Sequence, residues 1–400
     1  MGTPDSLKLQ IGIFGAANSG KSSLLNFLTN QEFSIVSEVA GTTADPVRKT
    51  MELPGAGPCI FIDTAGFGDG TELGSLREEK TIESIKRSDI ALAVFSADTM
   101  GDTAWYEKLA KTGKPIVPVL TKYQNNDTQT QEIIQKLTGK TPVLVNSLEK
   151  IGKQELLDAI IKAIPKDFNS LSITGDLCKS GDCVLLVMPQ DIQAPHGRLI
   201  LPQVQVIREL LDKKCSVMSC TTDMFVQTIN LLKNPPDLII TDSQVVKYVY
   251  DNKPQASPLT TFSILMAANK GDIKLFTEGA KTLATLKSDS RVLIAEACTH
   301  SPMEEDIGRV KIPRMLKTLF PDIKIDFVRG TDFPKELRDK DGNKKYDLLI
   351  HCGACMFNRT YMLQRQKEAA SAGIPATNYG VFISAFNHIL DKVQIPQPVQ

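Results

Sequence analysis

Residues 9–28 constrain this chain more than any other stretch. Leu9-Gln-Ile-Gly-Ile-Phe14 is an apolar run of strand length, Gly15-Ala-Ala-Asn18-Ser19-Gly20-Lys21-Ser22 follows at once, and Ser23-Leu-Leu-Asn-Phe-Leu28 has helical character. Strand, glycine-rich loop and helix in that order are the context in which this pattern means phosphate binding. The glycines let backbone N–H groups turn toward phosphates, and the helix N-terminus at Lys21, Ser22 and Ser23 adds partial positive charge. Lys21 is expected to reach the β- and γ-phosphates and the Ser22 hydroxyl to hold Mg²⁺. The start of the chain therefore predicts an α/β domain.

Downstream segments agree with that reading. Ile60-Phe-Ile-Asp63-Thr-Ala-Gly66 reads as a strand ending in Asp-x-x-Gly, with Asp63 toward Mg²⁺ and the Gly66 amide able to sense a γ-phosphate. Gly41-Thr42-Thr43 lies between these elements in a polar stretch. Thr43 there would complete the Mg²⁺ shell only when a γ-phosphate is present, an order–disorder switch. Together these residues resemble the TrmE–Era branch of small GTPases. The resemblance implies hydrolysis of GTP to GDP and phosphate, with Lys21, Asn18, Thr43 and Gly66 carrying catalysis. It also implies K⁺ held by Asn18 and Thr42 as the transition-state charge, without an arginine finger. The plain alternative for Asn18 is an Asn in a tight turn.

The base-reading segment departs from that family. After an apolar run at 115–120 comes Thr121-Lys122-Tyr123-Gln124, where the usual form is Asn/Thr-Lys-x-Asp. Gln124 offers guanine one carbonyl acceptor and no charge; losing the charge-assisted pair costs on the order of 1.5–3 kcal/mol. Guanine specificity is thus left open. Asn146-Ser147-Leu148 takes the position of the family's Ser-Ala loop beside the base. A helix over about 152–164 would close a first domain, residues 1–168.

The pattern restarts after a linker at 165–170. A strand at 183–188, a helix at 203–213, and strands at 215–219 and 237–240 make a small α/β unit, residues 169–260. Val204, Ile207, Leu210 and Leu211 are expected on the buried face of its first helix. The unit has no phosphate loop, and so small a sheet leaves its edges unprotected, which predicts a homodimerisation domain. Cys178, Cys183, Cys215 and Cys220 read as packed thiols rather than a second metal site.

The last domain, residues 261–400, carries the densest chemistry. Glu296-Ala297-Cys298-Thr299-His300 follows the apolar run 291–295, and His351-Cys352-Gly353-Ala354-Cys355 follows the run 346–350. Strand–helix–strand order implies parallel strands with right-handed crossovers, and ligands collect at the carboxyl ends of such strands. Three thiolates, Cys298, Cys352 and Cys355, suit an iron–sulfur cluster with one open iron position. His300, His351, Glu304 and Glu305 are the candidates for that position or for an outer role. Zinc held by three Cys and one His is the rival reading. Gly353 is expected to provide the bend between Cys352 and Cys355.

Charge and composition restrict the partners. The chain has 46 basic and 46 acidic residues and no net formal charge, which argues against a nucleic-acid surface. No apolar run reaches the ~20 residues of a membrane span. The N-terminus lacks a signal-peptide pattern, and eight cysteines without one argue for thiols in a cytoplasmic protein rather than disulfides. Gly2 and Ser6 match the loose myristoylation pattern, too short to weigh against a cytoplasmic reading.

At this point the whole chain resembles the HydF family, the maturation GTPases of [FeFe]-hydrogenase. The resemblance rests on the two Cys/His stretches, on Asp306-Ile-Gly-Arg-Val-Lys-Ile-Pro313, on Thr377-Asn-Tyr-Gly380 and on Gly197-Arg-Leu-Ile-Leu-Pro-Gln-Val204. It implies three consecutive α/β domains, an N-terminal P-loop small-GTPase fold followed by two smaller parallel-sheet domains. It further implies a scaffold that binds a [4Fe-4S] cluster and a transient di-iron precursor. Radical-SAM maturases would be its partners, the precursor would pass to apo-[FeFe]-hydrogenase, and GTP hydrolysis would gate partner exchange. The alternatives are a regulatory GTPase with a redox-sensing or zinc-binding module, and an RNA-modification factor.

Overall fold

The computed structural model describes residues 3–29, 46–67, 72–124, 127–166, 168, 171–190, 199–297 and 306–397. The chain divides into two compact units, residues 1–169 and 170–400.

In the first unit, β1 (Leu9–Gly15) leads into α1 (Lys21–Thr29). Then come β2 (Val47–Leu53), β3 (Gly57–Asp63), α2 (Glu72–Arg87), β4 (Ile90–Phe95), α3 (Ala104–Ala110), β5 (Ile116–Leu120), α4 (Thr128–Thr138), β6 (Val143–Leu144) and α5 (Lys153–Ala163). The six-stranded sheet runs β2-β3-β1-β4-β5-β6, and only the β2–β3 pair is antiparallel. Its inner strands are buried on both faces. Ile90, Leu92 and Val94 enter one apolar cluster, and Ala91, Ala93 and Phe95 the other. A parallel sheet covered by helices requires such continuous apolar strands.

The second unit holds two four-stranded sheets, both wholly parallel. The first is β10-β9-β7-β8, built from β7 (Cys183–Val187), β8 (Ser216–Cys220), β9 (Leu238–Thr241) and β10 (Leu259–Thr261). Its helices are α6 (Leu201–Asp212), α7 (Phe225–Leu231) and α8 (Val246–Asn252). Next come α9 (Phe262–Lys270) and α10 (Ile273–Lys281). The second sheet is β12-β11-β13-β14, from β11 (Arg291–Glu296), β12 (Lys324–Arg329), β13 (Leu348–His351) and β14 (Ala376–Asn378). Its helices are α11 (Ile312–Leu319), entered through a π-helical turn Ile307–Lys311, α12 (Arg359–Ser371) and α13 (Tyr379–Phe386).

The two sheets of this unit share one core. Leu185, Ile239 and Leu259 of the first belong to the same apolar cluster as Val292, Leu293 and Ile350 of the second. Helix α9 joins them. Its Ile264 and Ala267 enter that cluster, while Leu265 and Met266 enter the cluster behind β7. A domain boundary at 260/261 would pass through β10.

On α6 the buried positions are Gln203, Val206 and Leu210. Val204 and Leu211, expected inside, are about half exposed. Five apolar residues at 204, 206, 207, 210 and 211 cover more than one helix face, so the sequence alone did not fix the phase. The Gln203 amide decides it: buried, its Oε1 accepts the Ile200 N–H at 3.2 Å and caps the first turn.

Candidate nucleotide and metal sites

The loop between β1 and α1 brings together the residues expected to bind phosphate. Lys21 is buried, its Nζ donating to Gly15 O at 3.2 Å and Ala16 O at 2.7 Å. Asn18 is exposed with φ +60°, an αL conformation that Asn tolerates better than most residues. Gly66 lies against the loop, where a Cβ would come within 2.6 Å of the Ala17 backbone. Next to it Phe67 exchanges hydrogen bonds with the loop, Ala17 N–H to Phe67 O and Phe67 N–H to Gly15 O, both 3.3 Å.

The two described Mg²⁺ candidates meet directly: the Ser22 hydroxyl donates to Asp63 Oδ2 at 2.6 Å. Burial pushes the Asp63 carboxyl up; the Ser22 bond and the charges of Lys21 and Lys49 pull the other way. Burial likewise lowers Lys21, against the pull of Asp63. A buried, incompletely neutralised carboxylate beside a hydroxyl is a site that a divalent cation would stabilise. Thr42 and Thr43 lie outside the described residues.

The loops expected to read the base follow β5 and β6. The Thr121 hydroxyl reaches Ser19 O and Phe95 O, tying this loop to the phosphate loop. Lys122 has φ +53°, and its Nζ pairs with Asp98 at 3.0 Å in solvent. Gln124 is exposed, and its N–H donates to Asp127 Oδ2 at 2.8 Å. Asn146 accepts from Leu148 N and Glu149 N at 3.1 Å and donates to Tyr123 O, holding half-buried Ser147 in the turn. Asp127 was not singled out by sequence; its place three residues after Gln124, at the N-cap position of α4, was the available signal.

In the second sheet, β11 and β13 are parallel neighbours, Ala295 opposite His351. Both strands therefore end at the same rim, where Ala297 follows one and Cys352 the other. The Cys352 N–H continues the ladder to Ala295 O at 2.9 Å, and Cys352 Sγ accepts the Ala297 N–H at 3.0 Å and the Ala354 N–H at 3.5 Å. Such N–H···S bonds stabilise thiolate over thiol. Burial pushes Cys355 up, against Lys270 and the amides of Cys355 and Met356. The expected bend at Gly353 is made one residue later, by Ala354 at φ +53°. Gly353 itself has room for a Cβ, whose nearest contact is Met266 at 3.8 Å.

His351 is fully buried, and both its ring nitrogens are engaged. Nδ1 lies 3.0 Å from Cys352 O and Nε2 3.0 Å from Arg365 Nη1. Arg365 always donates, so Nε2 is the acceptor and Nδ1 carries the proton. Burial, reinforced by Arg365, drives the His351 pKa down to about 3.

The matched motifs converge beside this turn. Glu296, buried at the end of β11, accepts from Arg309 Nε at 2.8 Å, with Arg329 at 3.7 Å. A Cβ at Gly308 would fall 2.0 Å from the Tyr379 hydroxyl and 2.7 Å from the Glu296 carboxylate, so any larger residue there has to displace those side chains. Asp306 caps the π-helical turn through Arg309 N, and Asn378 caps α13 through Gly380 N, each at 2.8 Å.

Among the described residues no group of three or more Cys, His, Asp or Glu converges on a metal-sized site; Cys298, His300, Glu304 and Glu305 lie outside them, as do His196, Gly197 and Arg198. Cys178 and Cys215 are buried, and Cys183 and Cys220 partly so, all as free thiols. No described helix is long and apolar enough to cross a membrane.

Comparison with known proteins identifies each segment. Residues 10–122 match the family described as 50S ribosome-binding GTPase. Residues 173–271 match the Hydrogen maturase F dimerization domain, and residues 274–396 the Hydrogen maturase F tetramerization domain. Among curated proteins, the chain is 31% identical over 163 residues to the tRNA modification GTPase MnmE of Flavobacterium psychrophilum, covering 39% of this chain and 35% of that protein. It is 33% identical over 175 residues to GTPase Der of Kosmotoga olearia, covering 40% and 39%. The chain thus spans little more than a third of the length of these relatives. Among solved structures, Era of Aquifex aeolicus bound to GDP·AlF4⁻ aligns with 20% identity and a TM-score of 0.36, covering 53% of this chain and 92% of that one.

Proposed function

The chain belongs to the hydrogen maturase F family, whose two domain families together span more than half of it, and from that premise we propose that it is a scaffold for assembling the di-iron centre of [FeFe]-hydrogenase. Cys298, Cys352 and Cys355 would hold a [4Fe-4S] cluster. The observation that carries this is the rim of β11 and β13, where the Cys352 sulfur receives the Ala297 N–H one residue before Cys298. The donor set fits: two thiols on one turn, amides aimed at both, and a third Cys following the neighbouring strand. When bound, the cluster would supply an open iron position for a ligand or cargo. Of the flanking groups, His300, Glu304 and Glu305 are candidates for that position, while His351, with both nitrogens engaged, would act from behind the thiols.

In the first unit, Gly15, Ser19, Gly20, Lys21 and Ser23 would cradle the phosphates of GTP, Ser22, Asp63 and Thr43 would hold Mg²⁺, and Asn18 with Thr42 would hold K⁺. Thr121, Lys122, Gln124 and Ser147 would face the base. The chain would act as a homodimer or higher oligomer in the cytoplasm. It would receive the di-iron precursor with the help of radical-SAM maturases, and hydrolysis would time its release to apo-hydrogenase. Neither nucleic acid nor membrane takes part.

The test is metal content and electron paramagnetic resonance of anaerobically purified protein. Four irons per chain and a reducible cluster are expected, with Cys352→Ser losing both and keeping GTP hydrolysis. One zinc and no reducible iron would overturn the scaffold reading in favour of a zinc-binding regulatory GTPase.

A further inference from the structure

Arg365 lies in the interior of α12 and is 1% exposed, the largest fully buried side chain described. Its guanidinium is enclosed by Phe333, Phe357 and Tyr361, with ring centroids 4.7, 4.5 and 4.6 Å away. Nη2 donates to Gly330 O and to the Tyr361 hydroxyl, Nη1 donates to His351 Nε2, and Nε has no partner. No carboxylate among the described residues pairs with it. A buried charge without a counter-ion is costly, and aromatic faces return only part of that cost. Negative charge near such a cation would stabilise it, and the thiol turn begins one residue beyond His351, which the guanidinium contacts.

We propose that Arg365 is the fixed counter-charge of the thiol site, a positioning residue that acts through His351 on the Cys352 turn. The chain of contacts is short: Arg365 Nη1 to His351 Nε2, His351 Nδ1 to Cys352 O, and the Cys352 sulfur beyond. The guanidinium fixes the tautomer of the ring, and the ring fixes the carbonyl at the start of the turn. Its charge also favours every added negative charge at the sulfurs. Three thiolates leave a [4Fe-4S] cluster with net negative charge, and reduction increases it. Arg365 thereby raises the cluster's reduction potential and slows its loss. This inference rests on the scaffold reading above.

The experiment uses the full chain, reconstituted anaerobically with iron and sulfide, as wild type, Arg365→Met and Arg365→Lys. Midpoint potentials are read by electron paramagnetic resonance and iron loss by transfer to a chelator. Arg365→Met should lower the reduced-to-oxidised ratio at fixed poise at least tenfold, about 59 mV for a one-electron couple, and speed iron loss about tenfold. Arg365→Lys keeps the charge but not the fork, so its potential should stay near wild type while iron loss accelerates. A loaded Arg365→Met with wild-type potential and retention overturns the inference. If Arg365→Met does not fold, the lysine variant decides: wild-type iron retention in it overturns the inference. A wild type that takes up no reducible cluster overturns the scaffold reading instead.

Discussion

The Ser22 hydroxyl donates to Asp63 Oδ2 at 2.6 Å, joining the first residues of α1 to the end of β3. Burial raises the Asp63 carboxyl, so between the ordinary carboxylate pKa and the raised one the folded chain holds a proton that the unfolded chain has lost. Stability of the protein without nucleotide therefore falls as pH rises through that window. Asp63→Asn keeps an acceptor for Ser22 and removes the charge. It should melt above wild type at pH 7, with the difference shrinking toward pH 4, while GTP hydrolysis drops on the order of a hundredfold, about 3 kcal/mol. Calorimetry across that range, with phosphate release, checks both; a variant less stable than wild type at pH 7 would contradict the assignment.

Gln124 follows β5 at the position where the sequence reading expects a carboxylate for guanine. Gln124→Asp should improve GTP over ATP in competition for labelled GDP at least tenfold, about 1.4 kcal/mol. An unchanged ratio would remove Gln124 from the base site.

Lys114 Nζ donates to Lys86 O and Ser88 O at 3.1 and 2.7 Å, closing the end of α2. Burial lowers it to about 8 despite Asp89. From about 8 to its ordinary 10.5 the unfolded chain binds the proton and the folded chain does not, so this group makes stability rise with pH. Trp105, the single tryptophan, is buried in the first unit and reports that unit's unfolding. The urea midpoint seen by Trp105 fluorescence should rise less between pH 8 and 10 in Lys114→Met than in wild type; equal slopes would be the contrary result.

Gly279 places α10 against β14, and a Cβ there would lie 1.9 Å from Ala376 O. Gly279→Ala should cost about 3 kcal/mol through overpacking, seen as a lower urea midpoint by circular dichroism. A wild-type midpoint would contradict this packing.

Local signals and parallel topology were legible in the sequence. The phosphate loop announced itself because its meaning lies in consecutive residues, and the β11–β13 rim followed from strand–helix–strand order. What escaped depends on contacts between distant segments. Arg365 is one charged residue in a helix that also carries Arg359, Lys367 and Glu368, and nothing in its spacing marks it as buried. Ala354 took the left-handed turn assigned to Gly353, since a buried alanine adopts it at a cost of only about 1–2 kcal/mol when its surroundings require it. The phase of α6 was decided by a polar residue, Gln203, which an apolar count passes over.

Strands β11 and β13 are partners in space, yet β12 and the segment around it separate them in the chain. Neither Cys-bearing stretch forms its half of the rim alone; each needs the other's strand to be docked first. Such a rim appears late, after slow non-local pairing is complete, and in a nascent or misfolded chain its two strands are not yet brought together. In the scaffold proposed above, this topology would make metal loading a readout of finished folding, a quality check written into strand order.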